Sequence, residues 1–92
     1  MFLETTIYTF KTSVLYEEWA VVYESEEVRQ MKKETGITCL YNGVNRDDPT
    51  SVIVIKQSEE GKAVAMFKDP EHKPLVESAG HIYDSTVISR YF

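Results

Sequence analysis

The spacing of hydrophobic residues along the chain alternates between a period of two and a period near 3.6. Phe2–Phe10 alternates strictly, with Thr, Ile, Tyr and Phe enriched, and this pattern predicts a strand. Leu15, Trp19 and Val22 then recur at i, i+4 and i+7, which predicts an amphipathic helix. The chain therefore opens with a strand followed by a helix.

Capping signals predict where this first helix starts, bends and stops. Thr12 or Ser13 can serve as its N-cap. Ser25, followed by acidic residues, looks like a fresh cap, which predicts a bend near that position. Gly36 fits the left-handed position that follows a helix C-terminus. We expect one helix in two pieces.

The middle of the chain predicts two further strands. Ile37–Asn45 returns to strand character, and Arg46–Thr50 is a polar connection of turn-forming residues. Ser51–Gln57 contains the run Val52–Ile55, whose β-branched residues are apolar on both faces. Such a run is typical of a central strand that is covered on both sides.

The last third of the chain predicts two helical pieces and a strand. Ser58, with the two glutamates after it, can cap a helix. The predicted buried stripe of that helix is Ala63, Val64, Met66 and Phe67. Asp69–Glu71 has an N-cap, a proline and an acidic residue, which predicts another helical piece ending at Ala79–Gly80. His81–Phe92 alternates again and predicts the last strand.

The order of elements predicts an α+β fold of the ferredoxin-like βαββαβ type, as one domain over residues 1–92. In this plan a four-stranded antiparallel sheet carries its helices on one face. Two helices leave the other face uncovered, although the strand at Ser51–Gln57 is apolar on both faces. We therefore expect a homodimer in which two copies pack sheet to sheet.

Short motifs at the ends of these elements carry a family resemblance. They are Trp19, Gly36-Ile37, Asp48-Pro49, the run Phe67–His72 and Ala79-Gly80. With them the chain resembles the dimeric α+β barrel proteins, especially the antibiotic biosynthesis monooxygenase type and related small bacterial families. The resemblance spans nearly the whole chain. It implies a ligand site within each subunit, between the sheet and the helices.

The resemblance also implies several possible activities. Families of this type include cofactor-independent oxygenases, haem-degrading enzymes and proteins of unknown role. The haem-degrading members bind iron through a helical histidine and also use an asparagine and a tryptophan on strands. Here the first strand has no asparagine, and the only tryptophan, Trp19, lies on a predicted helix. We expect no cofactor.

Five residues are candidates for a pocket: Trp19, Asn42, Tyr8, Tyr83 and His72. The first four could donate hydrogen bonds that hold a deprotonated, easily oxidised substrate. Each has a simpler interpretation as well. Trp19 can be the core anchor of its helix, the tyrosines suit strands, and His72 can be an exposed or capping residue.

Two further residues are expected to be inert. His81 begins the predicted last strand, where a position facing solvent is the common outcome. Cys39 lies in mid-strand without a neighbouring base, which favours a buried thiol over a nucleophile. As the only cysteine it cannot form a disulfide within the chain. None of the usual metal, nucleotide or hydrolase motifs is present, so no metal site is expected.

Composition narrows the choice of partner. Fifteen acidic against ten basic residues give a formal charge of -5, which argues against a nucleic-acid partner. The longest apolar stretches, Trp19–Tyr23 and Val52–Ile55, are far shorter than the roughly 20 residues of a membrane-spanning helix. The first residues do not form a secretory signal, so a cytoplasmic location is expected.

These observations favour a homodimer that binds a small organic molecule between sheet and helices. The alternatives are a cofactor-independent monooxygenase and a structural or regulatory dimer without a ligand. Whether the protein is an enzyme is left open by the sequence.

Overall fold

The computed structural model describes residues 3–92, apart from the side chains at positions 27 and 32. Phe2, predicted to begin the first strand, lies outside the described residues. The elements in chain order are β1 (Leu3–Lys11), α1 (Tyr16–Tyr23), α2 (Glu26–Thr35), β2 (Thr38–Asn45), β3 (Asp48–Glu59), α3 (Lys62–Lys68), α4 (Lys73–Ser78) and β4 (Val87–Tyr91). The four strands form one antiparallel sheet in the order β2-β3-β1-β4. This is the predicted ferredoxin-like α+β fold.

The centre of the sheet is the pairing of β1 with β3. The two strands are in register over the whole of β1, from Leu3 opposite Glu59 to Lys11 opposite Ser51. Because successive side chains of a strand point to opposite faces, one face of this pair collects Tyr8 and Phe10 from β1 with Val52 and Val54 from β3. All four are buried beneath the helices and form one cluster with the buried Trp19 of α1. This cluster is the hydrophobic core.

The first helix is in two pieces, as predicted, but it begins later. Ser25 separates α1 from α2, and its hydroxyl accepts a hydrogen bond from the Val28 N–H at 3.4 Å. Neither Thr12 nor Ser13 caps α1, because Leu15 occupies the N-cap position and Thr12 continues the ladder of β1 by pairing with His81. Leu15, expected to be buried, is half exposed.

Two predicted boundaries between strands are wrong. The connection expected at Arg46–Thr50 is only Arg46-Asp47, because β3 already begins at Asp48. Asp48 is held there by an ion pair with Lys11 and accepts hydrogen bonds from the N–H and hydroxyl of Thr50. The polar residues that resemble a loop are therefore the start of a twelve-residue strand.

The predicted strand at His81–Phe92 is also too long. Its first half is not strand: His81 makes an isolated bridge to Thr12, and Tyr83–Ser85 forms a turn of 3-10 helix. Only Val87–Tyr91 pairs with β1. The side-chain hydroxyls of Ser85 and Thr86 donate to the carbonyls of Ile82 and Tyr83, and such local bonds compete with a strand ladder.

Glycines and a buried serine set the helix boundaries in the second half. Gly36 and Gly61 have φ of 72° and 79°, in the left-handed region, where they follow α2 and precede α3. The Ser58 hydroxyl accepts a hydrogen bond from the Ala63 N–H, in the first turn of α3, at 3.2 Å. It does so from the end of β3, because the N-cap position of α3 is Gly61. The turn at Asp69 comes first, and the regular helix α4 starts only at Lys73.

The face of the sheet turned away from the helices is largely apolar. We call it the outer face and define it by Leu3, Ile7, Tyr41, Ile53, Ile55, Val87 and Tyr91. Leu3, Tyr41, Val87 and Tyr91 are each more than half exposed. Among the described strand positions of this face, charged side chains occur only at two ends of the central strands, Lys11 and Glu59.

Glu4 joins three parts of the fold at one buried carboxylate. It is 2% exposed and accepts hydrogen bonds from Arg90 Nε at 2.7 Å and from the Gly61 N–H at 3.1 Å. It therefore ties β1 to β4 and to the residue before α3. The hydrogen bond from Arg90 holds the pKa of Glu4 below its ordinary value, against the opposing effect of desolvation.

No helix in the described range 3–92 is long and apolar enough to cross a membrane.

We predict that Glu4→Gln lowers the melting temperature at pH 7 and weakens the dependence of stability on acid pH. A carboxylate with a lowered pKa stabilises the fold above its ordinary pKa, and this contribution is lost as pH falls through the lowered value. Thermal unfolding followed by circular dichroism from about pH 7 to about pH 3 measures both effects. Glu59→Gln, at the exposed end of β3, is the control and should change neither. Equal melting temperatures for Glu4→Gln and wild type at pH 7 would contradict the prediction.

Candidate functional site

A cavity of about 100 Å³ lies between the helix-facing side of the sheet and the helices. Its floor is formed by strand residues and its walls by residues of all four helices. The lining residues are Tyr8, Phe10, Trp19, Val22, Tyr23, Val28, Met31, Ile37, Val54, Lys56, Ala63, Met66, Phe67, His72, Leu75, Val76, Ala79 and His81. The volume is somewhat below the ~150 Å³ of a dry cavity that accepts benzene. The cavity therefore has room for part or all of one small organic molecule.

Aromatic rings form a continuous wall along this cavity. Phe10 lies with its ring centroid 5.5 Å from that of Trp19 and stacks on His81 at 3.7 Å with an interplanar angle of 6°. The ring centroid of Phe67 lies 5.6 Å from that of His81 and 5.5 Å from that of Tyr8, which continues the row of rings. Rings present large, rigid apolar surfaces, which suit the wall of a site for an apolar ligand.

The Tyr8 hydroxyl is a buried polar group without a hydrogen-bond partner in the described part of the chain. The Thr6 hydroxyl on the same strand is near enough to lower the pKa of Tyr8, against the larger effect of burial, but the two hydroxyls do not have hydrogen-bond geometry, and Thr6 donates to the carbonyl of Lys56 at 3.5 Å. Burial raises the pKa of Tyr8, and the hydroxyl therefore keeps its proton at neutral pH. Leaving a buried hydroxyl unpaired costs about 1–3 kcal/mol, so this group is a candidate to bind something that enters the cavity.

Lys56 adds a cationic side chain to the same wall. Its Nζ lies 4.8 Å from the centroid of the Tyr8 ring, within the range of a cation–π contact. Lys56 is on β3 and faces the helices, two positions after Val54, so the period of the strand carries it inward.

His81 is buried and electrically neutral at pH 7. Its Nε2 lies 2.7 Å from Thr86 Oγ1, and that hydroxyl donates to the carbonyl of Tyr83. Since the hydroxyl proton is used there, Nε2 carries the hydrogen and donates to Thr86, which leaves Nδ1 unprotonated. Burial, helped by the positive charge of Lys56, lowers the pKa of His81 to about 4.

His72 contributes the second imidazole. It is the residue before α4 and lies partly buried against the cavity, with Nδ1 3.4 Å from Asp69 Oδ2. Asp69 is part of the turn that starts this segment and also accepts a hydrogen bond from the Glu71 N–H. The His72 N–H donates to the Asp69 carbonyl at 2.9 Å, so the turn holds His72 against the cavity, where the ring nitrogen Nδ1 of His72 is buried without a hydrogen-bond partner among the described residues.

The structure brings together three of the five predicted pocket residues. Trp19, Tyr8 and His72 line the cavity. Tyr83 is behind it, because its ring stacks on Phe67 at 4.9 Å and its hydroxyl donates to the Phe67 carbonyl. Asn42 is on the same side of the sheet but lines a separate, shallow depression.

Asn42 is committed to structural hydrogen bonds. Its Nδ2 donates to the Tyr16 hydroxyl at 2.9 Å and to Glu24 Oε1 at 3.5 Å, which ties β2 to α1 and to the residue after it. Cys39, on the same strand, is half-buried and its Sγ lies 3.7 Å from the carbonyl of Tyr41. Neither residue lines the cavity.

Sequence reasoning missed His81 and Lys56. His81 was expected to face solvent, and this expectation is wrong, because its ring is 7% exposed and stacked on Phe10. Only the chain path after Gly80 places it there, and no local pattern predicts that path. Lys56 did have a signal: it continues the inward alternation of Val52 and Val54, where a charged residue is unusual.

Within residues 3–92 there is no group of three or more His, Cys, Asp or Glu side chains placed to hold a metal ion.

Comparison with known proteins shows the fold and the family. The chain is similar in structure to the crystal structure of a "putative antibiotic biosynthesis monooxygenase" from Deinococcus radiodurans, with a TM-score of 0.57 and 13% identity. The alignment covers 97% of this chain and 90% of that one, and at this identity it shows the fold alone. It confirms the predicted resemblance in fold to the antibiotic biosynthesis monooxygenase type. No curated protein matches the chain significantly. A family model matches residues 3–92, and the chain therefore belongs to the family described as "Domain of unknown function (DUF3764)".

Proposed function

We propose that this protein binds one small, largely apolar organic molecule in the cavity between its sheet and its helices. The observation that carries the proposal is the Tyr8 hydroxyl, which is buried at the cavity without a protein partner among the described residues. Native proteins pair nearly all buried polar groups, so an unpaired hydroxyl beside a cavity is a suitable hydrogen-bond donor for a molecule bound there. The aromatic wall supplies the apolar contact that such a ligand requires.

Binding is favoured over the two alternatives for separate reasons. A cofactor-independent oxygenase would need polar side chains around one substrate anion, but Asn42 is bonded to Tyr16 and Glu24, away from the cavity. A structural dimer without a ligand would have no need of a cavity lined by an unpaired hydroxyl. The likeness to the Deinococcus protein supports a shared fold, and oxygenase chemistry is therefore not part of the proposal.

We further propose that the functional unit is a homodimer formed through the outer face. Ile7, Ile53 and Ile55 lie side by side at its centre, with exposed Tyr41 and Tyr91 at its sides. The chain carries a formal charge of -5, but acidic side chains are absent from the described middle of this face, so the contact avoids direct charge repulsion. A second copy offers the same apolar surface and can cover it by two-fold symmetry.

Because the Tyr8 hydroxyl is unpaired among the described residues, removing its oxygen atom should stabilise the fold. Tyr8→Phe should raise the free energy of unfolding by about 1 kcal/mol, because it removes a buried group that gains no hydrogen bond. Tyr83→Phe makes the same chemical change where the hydroxyl donates to Phe67 at 3.2 Å, and should lower it by about 1 kcal/mol. Urea unfolding of both variants measures the difference. If Tyr8→Phe destabilises as much as Tyr83→Phe, the observation behind the proposal is wrong.

Ligand binding can be detected through Trp19, the only tryptophan of the chain and a lining residue. Titration with cyclohexanol should produce a saturable change in tryptophan fluorescence. Ala63→Leu should abolish it, because Ala63 is a buried lining residue and the larger side chain fills the cavity.

Ala65→Leu is the matched control, since it makes the same change on the exposed side of α3 and should leave binding intact. Circular dichroism establishes that both variants are folded. A wild-type protein whose fluorescence responds to cyclohexanol only linearly, without saturation, would refute the binding proposal.

The dimer can be tested by sedimentation equilibrium. Wild type should sediment at twice the monomer mass of 10.6 kDa at micromolar concentration, and Ile55→Lys should sediment at the monomer mass. A lysine at the centre of the outer face would have to be buried unpaired in the interface, which is strongly unfavourable. Val21→Lys, on the exposed side of α1, is the control and should remain dimeric. A monomeric wild type would disprove the dimer without affecting the cavity.

A further inference from the structure

The lining of the cavity contains the cation Lys56 and the imidazoles of His72 and His81, and it includes neither Asp nor Glu among the described residues. Two carboxylates lie outside the lining: Glu4, which pairs with Arg90 and acts electrostatically on Tyr8, and Asp69, 3.4 Å from His72 Nδ1. The whole chain has fifteen acidic residues against ten basic ones. Among the described lining residues, Lys56 is the one lysine or arginine, and no carboxylate within the lining offsets its charge, which favours an anionic ligand.

The polar groups are concentrated at one part of the wall. Tyr8 and Lys56 are in contact, with Lys56 Nζ 4.8 Å from the tyrosine ring, and Lys56 also acts electrostatically on His81. His81 is connected to Tyr8 through Phe67, whose ring is within 5.6 Å of both. The remaining lining is dominated by apolar side chains such as Val54, Ala63 and Val76.

We propose that the ligand of this cavity is a small carboxylic acid with an apolar ring or chain, whose carboxylate accepts a hydrogen bond from the Tyr8 hydroxyl and pairs with Lys56. This inference rests on the proposed function, because it names the class of molecule that the same cavity binds. The apolar part of the ligand occupies the space beside Trp19, Ala63 and Phe67. A carboxylate is a strong acceptor, and a hydrogen bond to a charged group contributes more than one between neutral groups.

His81 would report the charge of the bound ligand. It is neutral at pH 7, with a pKa of about 4, because burial and the charge of Lys56 both disfavour the imidazolium. The groups packed against it are the rings of Phe10 and Phe67, the hydroxyl of Thr86 and the cation of Lys56. A bound carboxylate would offset the effect of Lys56 and raise the pKa of His81, whereas a neutral ligand would not.

The experiment compares two probes of the same shape, cyclohexanecarboxylate and cyclohexanecarboxamide, by Trp19 fluorescence at pH 7. We expect the acid to bind about tenfold more tightly than the amide, which corresponds to the ~1.4 kcal/mol typical of a charge-assisted hydrogen bond. Lys56→Met should abolish this preference while the amide still binds. Lys62→Met, an exposed lysine of α3 outside the lining, should keep it.

A second readout keeps the inference falsifiable if Lys56→Met does not fold. Nuclear magnetic resonance of the His81 ring in wild type, followed from about pH 7 down to about pH 5, where the acid stays ionised, should show the imidazolium form appearing at higher pH with the acid than with the amide. Amide binding that equals or exceeds acid binding would overturn the carboxylic-acid assignment and leave the proposed function standing. If neither probe binds and cyclohexanol does not bind either, the proposed function itself fails.

Discussion

The antiparallel pairing of β1 with β3 is the constraint on which the other features depend. Nine consecutive pairs, from Leu3 opposite Glu59 to Lys11 opposite Ser51, fix which side chains share a face. A shift of one residue would exchange the two faces and expose Tyr8 and Phe10 to solvent. With this register the core, the unpaired hydroxyl of Tyr8 and the inward lysine of β3 are all on the side that the helices cover. The outer face is fixed by the same alternation.

Several rings of this inward face line the cavity. Phe10, Tyr8 and Phe67 are rigid, and His81 is added to them by a bend of the chain rather than by a strand. Gly80 permits the bend: its φ is 97°, and a Cβ there would lie 2.6 Å from a methyl carbon of Val14. The Ser13 N–H donates to its carbonyl at 2.7 Å, which fixes the chain beside the end of β1. Gly80 therefore allows the His81 imidazole to lie buried in the cavity wall.

The two faces of the sheet meet different requirements with similar apolar residues. On the helix side, apolar burial is combined with polar groups that are paired, such as Glu4 with Arg90, and with groups such as the Tyr8 hydroxyl that have no hydrogen-bond partner among the described residues. On the outer face, Leu3, Tyr41, Val87 and Tyr91 are more than half exposed, and no charged side chain occurs among the described strand positions of this face between Lys11 and Glu59. The proposed ligand and the proposed second copy would each complete one side of the same sheet. The two proposals are independent, since the cavity is lined by residues of one chain.

The sequence by itself determined the order of elements, the antiparallel sheet, the two-piece first helix with Ser25 between its parts, and the glycine at position 36. These follow from local periodicity and capping, which act over a few residues. It also singled out Trp19, Tyr8 and His72, which the fold brings to one cavity. Tertiary structure decided the rest. Asn42 does not line the cavity because its side chain donates hydrogen bonds to Tyr16 and Glu24. The Tyr83 ring stacks on Phe67, outside the cavity lining. His81 is buried because it stacks on Phe10, about seventy positions earlier in the chain. Polar side chains take whichever partner the fold brings within hydrogen-bond distance, and that choice is made by long-range packing and not by neighbours in sequence.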